Sequence, residues 1–139
     1  MLNVLATESW LTSRVSAALS PHGVTSAQYN VLRILRGRHP ECYACSDIGE
    51  RLLDRTPDVT RLLARLEAAG LIHRTRARHD RRVVEVTITP EGLDLLAEID
   101  APLNEAIDRA GRHLSAAEHA ELSRLLEKLR TDQGVAEGR

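Results

Sequence analysis

Aromatic side chains are scarce in this sequence. They make up 2% of its 139 residues, and phenylalanine is absent. A buried core therefore has to be built from leucine, valine, isoleucine and alanine, a set that favours helices. The sequence predicts a mainly α fold.

Membrane-spanning and secretory segments are missing as well. No apolar run approaches the roughly 18 residues that a spanning helix needs. The opening stretch MLNVLATESWL has neither the basic start nor the small-residue cleavage site of a secretory signal. We expect a single-domain cytoplasmic protein with no membrane partner.

Motifs for catalysis and metal binding are also lacking. The six histidines show no metal-ligand spacing such as HExxH, and there is no phosphate-binding loop or catalytic triad spacing. We expect no catalytic residues, no cofactor and no metal, and therefore no enzyme.

Positive charge is abundant but confined to one part of the chain. From Arg51 to Arg82 there are nine arginines and four acidic residues, whereas from Glu91 to Arg139 there are six basic and eleven acidic residues. The basic part is expected to bind a polyanion. Lys128 is the sole lysine, and arginine contacts phosphate and guanine bidentately as lysine cannot. A GC-rich genome would produce the same preference for arginine.

Helical spacing and capping residues predict the first half of the chain. The patterns indicate a helix over residues 2–19, a second from Ser26 to about Arg36 behind a Thr25–Gln28 capping box, and a loop GRHPECYAC. A short helix SDIGERLL follows, with Ser46 as its N-cap. The next helix is predicted to begin with Thr56 as N-cap and Pro57 at its first position, and to run to about Ala69.

Strand-like runs predict a hairpin in the second half. The runs LIHRTR and VVEVTIT flank the turn ARHDR and form a two-stranded hairpin. A long helix from Pro90 to about Arg112 follows, with a kink expected at Pro102, and a last helix runs from a Ser115–Glu118 capping box to about Thr131.

This order of elements is typical of a helix-turn-helix followed by a basic wing. An amphipathic helix with outward arginines fits the DNA major groove, and a guanidinium on the wing turn fits the minor groove. Asp80 is interpreted as a brace of the wing turn, since aspartate accepts hydrogen bonds from turn amides. The candidate DNA-binding residues are Ser46, Arg55, Thr56, Pro57, Asp58, Thr60, Arg61, Arg65, Arg78, Asp80, Arg81 and Arg82.

The stretch SDIGERLL…TRLLARLEAAGLIHRTRARHDRRVVEVTITPEG resembles the core of the multiple-antibiotic-resistance-regulator (MarR) family of winged-helix repressors. The shared features are RLEAAGLI, the D-x-R turn Asp80-Arg81-Arg82 and the strand ending TITPEG. The resemblance implies a homodimeric transcriptional regulator that binds pseudo-palindromic operators. It also implies release by a small phenolic or hydrophobic ligand or by an oxidant.

The resemblance extends over nearly the whole chain and implies that different segments serve dimerisation and DNA binding. Residues 1–20 and 91–131 correspond to dimerisation helices, residues 25–89 to the winged-helix DNA-binding lobe, and residues 132–139 to a flexible tail. Surplus apolar residues in both terminal stretches favour a dimer independently of the resemblance. An effector pocket is hypothesised where the two parts meet, lined by Trp10, His22, Tyr29 and Arg33.

Two alternatives stay open at this point. A winged helix can serve protein association without binding DNA. The pair Cys42 and Cys45 can act as a thiol redox sensor, although two ordinary reduced cysteines are the simpler interpretation.

Overall fold

The computed structural model describes residues 1–52 and 58–131. Its order of elements confirms a mainly helical fold with a small antiparallel sheet. The helices are α1 (Leu2–Leu19), α2 (Ser26–Arg38), α3 (Cys45–Arg51), α4 (Val59–Ala68), α5 (Pro90–Gly111) and α6 (Ala116–Arg130), with a 3₁₀ turn at Ser20–His22. The strands are β1 (Tyr43–Ala44), β2 (Ile72–Arg76) and β3 (Val84–Ile88).

Both predicted capping boxes are present. The Thr25 hydroxyl accepts from the Gln28 N–H at 3.2 Å, and the Gln28 side chain accepts from the Thr25 N–H at 2.9 Å. Ser115 and Glu118 exchange the same pair of bonds at 3.3 and 2.7 Å. These reciprocal bonds satisfy donors that the first helical turn leaves unpaired, so α2 and α6 begin where the sequence predicts.

The sheet has one strand more than predicted. Tyr43 and Ala44, assigned to a loop from the sequence, form β1 and pair antiparallel with Val86 and Glu85 of β3. The strand order is β1-β3-β2. Two residues are too few to show the alternation that marks a strand, and their pairing partner lies about forty positions away, so the local pattern could not reveal β1.

Two predicted helix starts are wrong. Helix α3 begins at Cys45 directly after β1, so Ala44 is its N-cap and Ser46 is not. Helix α4 begins at Val59 with Asp58 as N-cap, where the carboxylate accepts from the Arg61 N–H at 3.2 Å. The sequence placed this start at Thr56, which lies outside the described residues. Aspartate is as good a cap as threonine, and the later candidate takes the role.

Helix α4 is fixed to the molecule through a continuous apolar core. Leu63 and Leu66 of α4 are fully buried, as are Ile72 of β2 and Val86 of β3. The same cluster includes Leu19 of α1, Leu32 and Leu35 of α2, Ile48 of α3, and Leu96, Ile99 and Leu103 of α5. Truncating one such leucine to alanine typically costs about 2–5 kcal/mol, so the core holds the exposed face of α4 in a defined orientation.

The segment TITPEG leads from β3 into α5 and is hydrogen-bonded to the chain that leaves α4. The Thr89 hydroxyl donates to the Gly70 carbonyl at 2.7 Å and accepts from the Gly92 N–H at 3.0 Å. A side chain on Gly92 would collide with the Leu71 carbonyl and lie 2.7 Å from Cγ1 of Ile88. The glycine is therefore required by the close approach of α5 to the chain that leaves α4.

The terminal helices leave much apolar surface uncovered. Within the described chain, α6 has no buried residue, and Leu122, Leu125 and Leu129 are each more than 40% exposed. Leu5 on α1 and Ile107 on α5 are exposed too. Helix α5 continues through Pro102 as one helix. No helix among the residues described has the length and apolar character needed to span a membrane.

Candidate nucleic-acid interface

Helix α4 presents a polar face on the side opposite its buried leucines. Thr60, Arg61 and Arg65 are exposed, whereas Leu63 and Leu66 are fully buried. This separation is the amphipathic pattern predicted from the sequence. It places two guanidinium groups one turn apart on the accessible side of the helix.

The wing turn connects β2 and β3 through residues 77–83. Ala77 donates to the Val83 carbonyl at 2.9 Å, and Val83 donates to the Asp80 carbonyl at 3.0 Å. These two bonds close the turn into a compact structure. Outside them, Arg78, Arg81 and Arg82 project as exposed side chains, and they donate to no residue that the structure describes. The hydrogen-bonded turn therefore exposes three guanidinium groups that can contact a ligand.

Asp80 braces this turn, as its interpretation from the sequence proposed. Its Oδ1 accepts from the backbone N–H of Arg82 at 2.9 Å, two residues along the chain. Such a bond fixes the backbone from which the Arg82 side chain departs. It also accounts for an acidic residue within a basic turn.

Arg76 is a second brace, which the sequence did not reveal. Its Nη1 donates to the Arg81 carbonyl at 2.7 Å, across the mouth of the turn. One arginine of this basic stretch therefore serves the structure of the wing. Composition alone cannot separate such an arginine from those that are free to contact a ligand.

A buttress between α4 and β2 was also missed. We give the name α4–β2 buttress to the pair Glu67 and Arg74. Oε2 of Glu67 accepts from Nε and Nη2 of Arg74 at 2.9 and 2.7 Å, and Oε1 accepts from the Arg74 N–H at 3.1 Å. Hydrogen bonding to the Arg74 guanidinium lowers the pKa of the Glu67 carboxyl, so the pair stays ionised to a more acidic pH than a free glutamate would. A spacing of seven residues carries no pairing signal, because the contact depends on how β2 folds back against α4.

The remaining candidate contact residues have separate positions. Ser46 is exposed in the first turn of α3, where backbone N–H groups lack helical partners. Asp58 is exposed and caps α4. Arg55, Thr56 and Pro57 lie outside the described residues.

The four residues predicted to line an effector pocket do not come together. A cleft of about 660 Å³ between α1, α2 and α5 is lined by Tyr29 and Arg33, but not by Trp10 or His22. Trp10 carries the Arg14 guanidinium over its ring at 4.6 Å beside a different cleft. His22 lies 4.0 Å from a Glu98 carboxylate oxygen. Trp10 and His22 therefore lie outside the cleft that Tyr29 and Arg33 line, because helical spacing does not determine which neighbouring helix a side chain faces.

The cleft contains polar groups that the sequence did not single out. Arg36 of α2 forms an ion pair with Asp100 of α5 at 2.8 Å across it. The buried hydroxyl oxygen of Ser26, also on its wall, has no hydrogen-bond partner in the part of the chain described. The lining thus combines apolar side chains with a few polar groups, as is typical of small-molecule sites.

Cys42 and Cys45 are free, half-buried thiols on either side of β1. Because Tyr43 and Ala44 are extended, the two cysteine Cα atoms are separated by three extended steps, or about 10 Å. A disulfide needs a Cα separation below about 7 Å. Joining these cysteines therefore requires β1 to separate from β3. No group of three or more metal-ligating side chains occurs among the residues described.

Comparison with known proteins identifies relatives of this architecture. A sequence profile of the MarR family matches residues 22–83, from the 3₁₀ turn to the wing turn. The solved structure of a MarR transcription factor from Planctomyces limnophilus is 40% identical with a TM-score of 0.73, and the match covers 91% of each chain. A mutant MarR from E. coli complexed with operator DNA is 26% identical with a TM-score of 0.81, covering 91% of this chain and 89% of that one.

Curated relatives point the same way. An HTH-type transcriptional repressor from Mycobacterium tuberculosis is 30% identical over 122 residues, which cover 88% of this chain and 86% of the repressor. The regulator PapX from Escherichia coli is 28% identical over 108 residues. The chain spans 66% of the length of PapX, and between 41% and 50% of three further regulators. From the 40% identity over nine-tenths of a solved MarR protein, together with the profile match, the chain belongs to the MarR family of transcriptional regulators.

Proposed function

We propose that this chain is a homodimeric, sequence-specific DNA-binding transcriptional regulator that acts as a repressor on a pseudo-palindromic operator. The observation that carries this proposal is the ordered wing turn, on which Asp80 fixes the backbone while Arg78, Arg81 and Arg82 remain available. The relative from E. coli was solved with operator DNA, which supports the same partner here. A cytoplasmic location follows from that partner, since the operator lies on the chromosome.

The division of contacts follows from groove geometry. The exposed face of α4, with Thr60, Arg61 and Arg65, enters the major groove, and Arg82 on the wing enters the adjacent minor groove. Ser46, at the start of α3, donates to a backbone phosphate. We also propose DNA contacts for Arg55, Thr56, Pro57 and Asp58; the first three lie outside the described residues, and Asp58 is the exposed N-cap of α4.

The dimer is supported by the uncovered apolar faces of the terminal helices. A 15-residue helix without a buried residue is marginal in water by itself, so α6 needs a partner. A second copy of the chain supplies matching leucine and isoleucine faces from α1, α5 and α6. The symmetric dimer then presents two copies of α4 to two half-sites of the operator.

Regulation by a small ligand is supported by the cleft between α1, α2 and α5. Tyr29, Arg33 and the Ser26 hydroxyl offer an aromatic wall, a cation and a polar atom without a partner in the described chain, while Arg36 is neutralised by its ion pair with Asp100. A phenolic acid matches this chemistry. Control by an oxidant is less well supported, because the extended β1 separates Cys42 from Cys45.

The proposal is tested by selecting duplexes from a random-sequence library with the purified chain and measuring their affinity at several salt concentrations. We expect an enriched palindromic motif, and an affinity that falls steeply with salt because arginine contacts release counterions from phosphate. The absence of any enriched motif, with binding that does not respond to salt, would contradict the proposal and favour a protein-association role.

A further inference from the structure

The α4–β2 buttress lies where α4 meets β2, the strand that leads into the wing. In the proposed function, α4 binds in the major groove and the wing binds in the adjacent minor groove. Glu67 is in the last turn of α4, and Arg74 is in the middle of β2, which leads into the wing. Three hydrogen bonds of 2.7 to 3.1 Å join them. The two side chains are 37% and 27% exposed, so the pair is partly shielded from solvent, and its strength comes from the charge-assisted geometry of the three bonds.

The bonds restrain orientation as well as distance. A guanidinium that meets one carboxylate oxygen through two N–H groups holds a planar, fork-shaped geometry. The second carboxylate oxygen accepts from the Arg74 backbone N–H, so the carboxylate is attached to the strand itself as well as to its side chain. Few rotations of β2 about the end of α4 preserve all three bonds.

The short covalent connection between α4 and β2 restrains the angle between them less well than the three hydrogen bonds do. Only residues 69–71 separate α4 from β2, and Gly70 among them adopts a positive φ of 75°. The Thr89 hydroxyl bond to the Gly70 carbonyl fixes the base of the junction. The α4–β2 buttress lies on the other side of this short turn and holds the strand that carries the wing.

We propose that Glu67 and Arg74 are positioning residues for DNA binding, which set the angle between α4 and the wing so that both grooves are reached at once. The inference rests on the proposed function. Neither residue is proposed to contact DNA. Their contribution to DNA affinity depends on the position of Arg82, and it disappears when Arg82 is removed.

In Glu67→Gln, the change in charge and the loss of the pair have opposite expected effects on DNA affinity. Glu67→Gln removes a negative charge from the basic lobe, and charge alone would tighten binding to a polyanion. The substituted glutamine keeps the size of the side chain but loses one acceptor oxygen and the ionic attraction to Arg74. We expect this variant to weaken binding about tenfold, which is a scale typical of couplings between contacting groups. The double variant Glu67→Gln/Arg74→Gln restores the original net charge and should show a similar loss.

The experiment compares these variants in the presence and absence of Arg82, using a duplex selected by the unmodified chain and fluorescence anisotropy at physiological salt. In the Arg82→Ala background, Glu67→Gln should change the affinity by less than about twofold. Glu41→Gln is the matched control, because Glu41 also pairs with one arginine, Arg38, but belongs to neither α4, β2 nor the dimerisation helices. It should leave the affinity unchanged.

Each other outcome overturns the inference. Unchanged or tighter binding by Glu67→Gln and by the charge-restored double variant would show that the pair does not position the wing. An equal loss with and without Arg82, accompanied by a lower melting temperature, would assign the pair to folding alone. Failure of the unmodified chain to bind any duplex would overturn the proposed function itself, and the inference with it.

Discussion

At the scale of single residues, Asp80 shows how one acidic group can serve a basic surface. Its side-chain oxygen binds the Arg82 N–H at 2.9 Å, so the acid determines how the arginine leaves the turn. In a purely electrostatic view the same carboxylate repels phosphate and weakens binding. Substitutions that separate the hydrogen bond from the charge distinguish these two roles.

Asp80→Ala should weaken DNA binding about 3- to 10-fold, the equivalent of one lost hydrogen bond. Asp80→Asn keeps the acceptor oxygen and removes only the charge, so it should bind as tightly as the unmodified chain or more tightly. Anisotropy titrations of both variants on one duplex measure the difference. Tighter binding by Asp80→Ala would show that the carboxylate only repels phosphate.

Gly92 is a residue whose role is visible only in the structure. Gly92→Ala should lower the free energy of unfolding by about 1–3 kcal/mol, because the new methyl group meets the Leu71 carbonyl and the Ile88 side chain. Gly37→Ala is the control, since a methyl group on Gly37 of α2 would enter open space, and alanine is the better helix former there. Urea unfolding of both variants tests the pair. Equal stabilities would mean that α5 does not pack closely against the chain leaving α4.

At the scale of elements, the sequence correctly predicted the helices and strands that are determined by local residue patterns. The capping boxes at Thr25 and Ser115, the buried leucines of α4 and the strand pattern of β3 all follow from short-range rules, and the structure agrees with them. The elements that were missed depend on distant contacts. Strand β1 exists because β3 pairs with it, and the α4–β2 buttress exists because β2 returns along α4.

The same distinction applies to the candidate site. The arginines of α4 and of the wing turn were predicted to be outward, and they are exposed. The effector pocket was predicted from residue types that bind ligands, without a spacing argument, and two of its four residues lie elsewhere. The helix start at Asp58 was missed because three successive candidates for capping and helix initiation, Thr56, Pro57 and Asp58, are all compatible with the sequence.

Strand β1 also determines the behaviour of the cysteines. Because β1 holds Cys42 and Cys45 about 10 Å apart, peroxide should not form a disulfide between them in the folded chain. We expect DNA affinity after peroxide treatment to equal that of the untreated chain, and Cys42→Ser to behave in the same way. A reversible loss of affinity that disappears in Cys42→Ser would contradict this and support a redox sensor.

At the scale of the whole molecule, the arrangement is dipolar. The basic excess lies within residues 51–82, which include α4 and the wing turn, while the acidic excess lies within residues 91–139, which include α5 and α6. The near-zero net charge is therefore the sum of two opposite local charges. The basic segment with α4 and the wing turn is suited to DNA, and the acidic segment with α5 and α6 also exposes apolar side chains. The terminal surface is the one for which a second copy is proposed.

Leu122→Asp together with Leu125→Asp should abolish the dimer, because both side chains are exposed on α6 and a dimer would have to bury the new charges. DNA binding should be lost with it, since one winged helix covers only half of a palindromic site. Ser123→Asp places the same charge at an exposed polar position of α6 and should leave the dimer intact. Sedimentation equilibrium reports the mass, and a stable monomer that binds the operator duplex would contradict the proposed assembly.

The wing carries the central claim about function, and Arg82 is its most direct test. Arg82→Ala should weaken binding to the selected duplex about 5- to 150-fold at physiological salt, with a smaller loss at high salt. The melting temperature and the dimer should not change, because the side chain is exposed on a turn. Arg130→Ala removes the same charge from the end of α6 and should bind normally. Unchanged affinity in Arg82→Ala, measured by fluorescence anisotropy, would contradict the assignment of the wing to DNA.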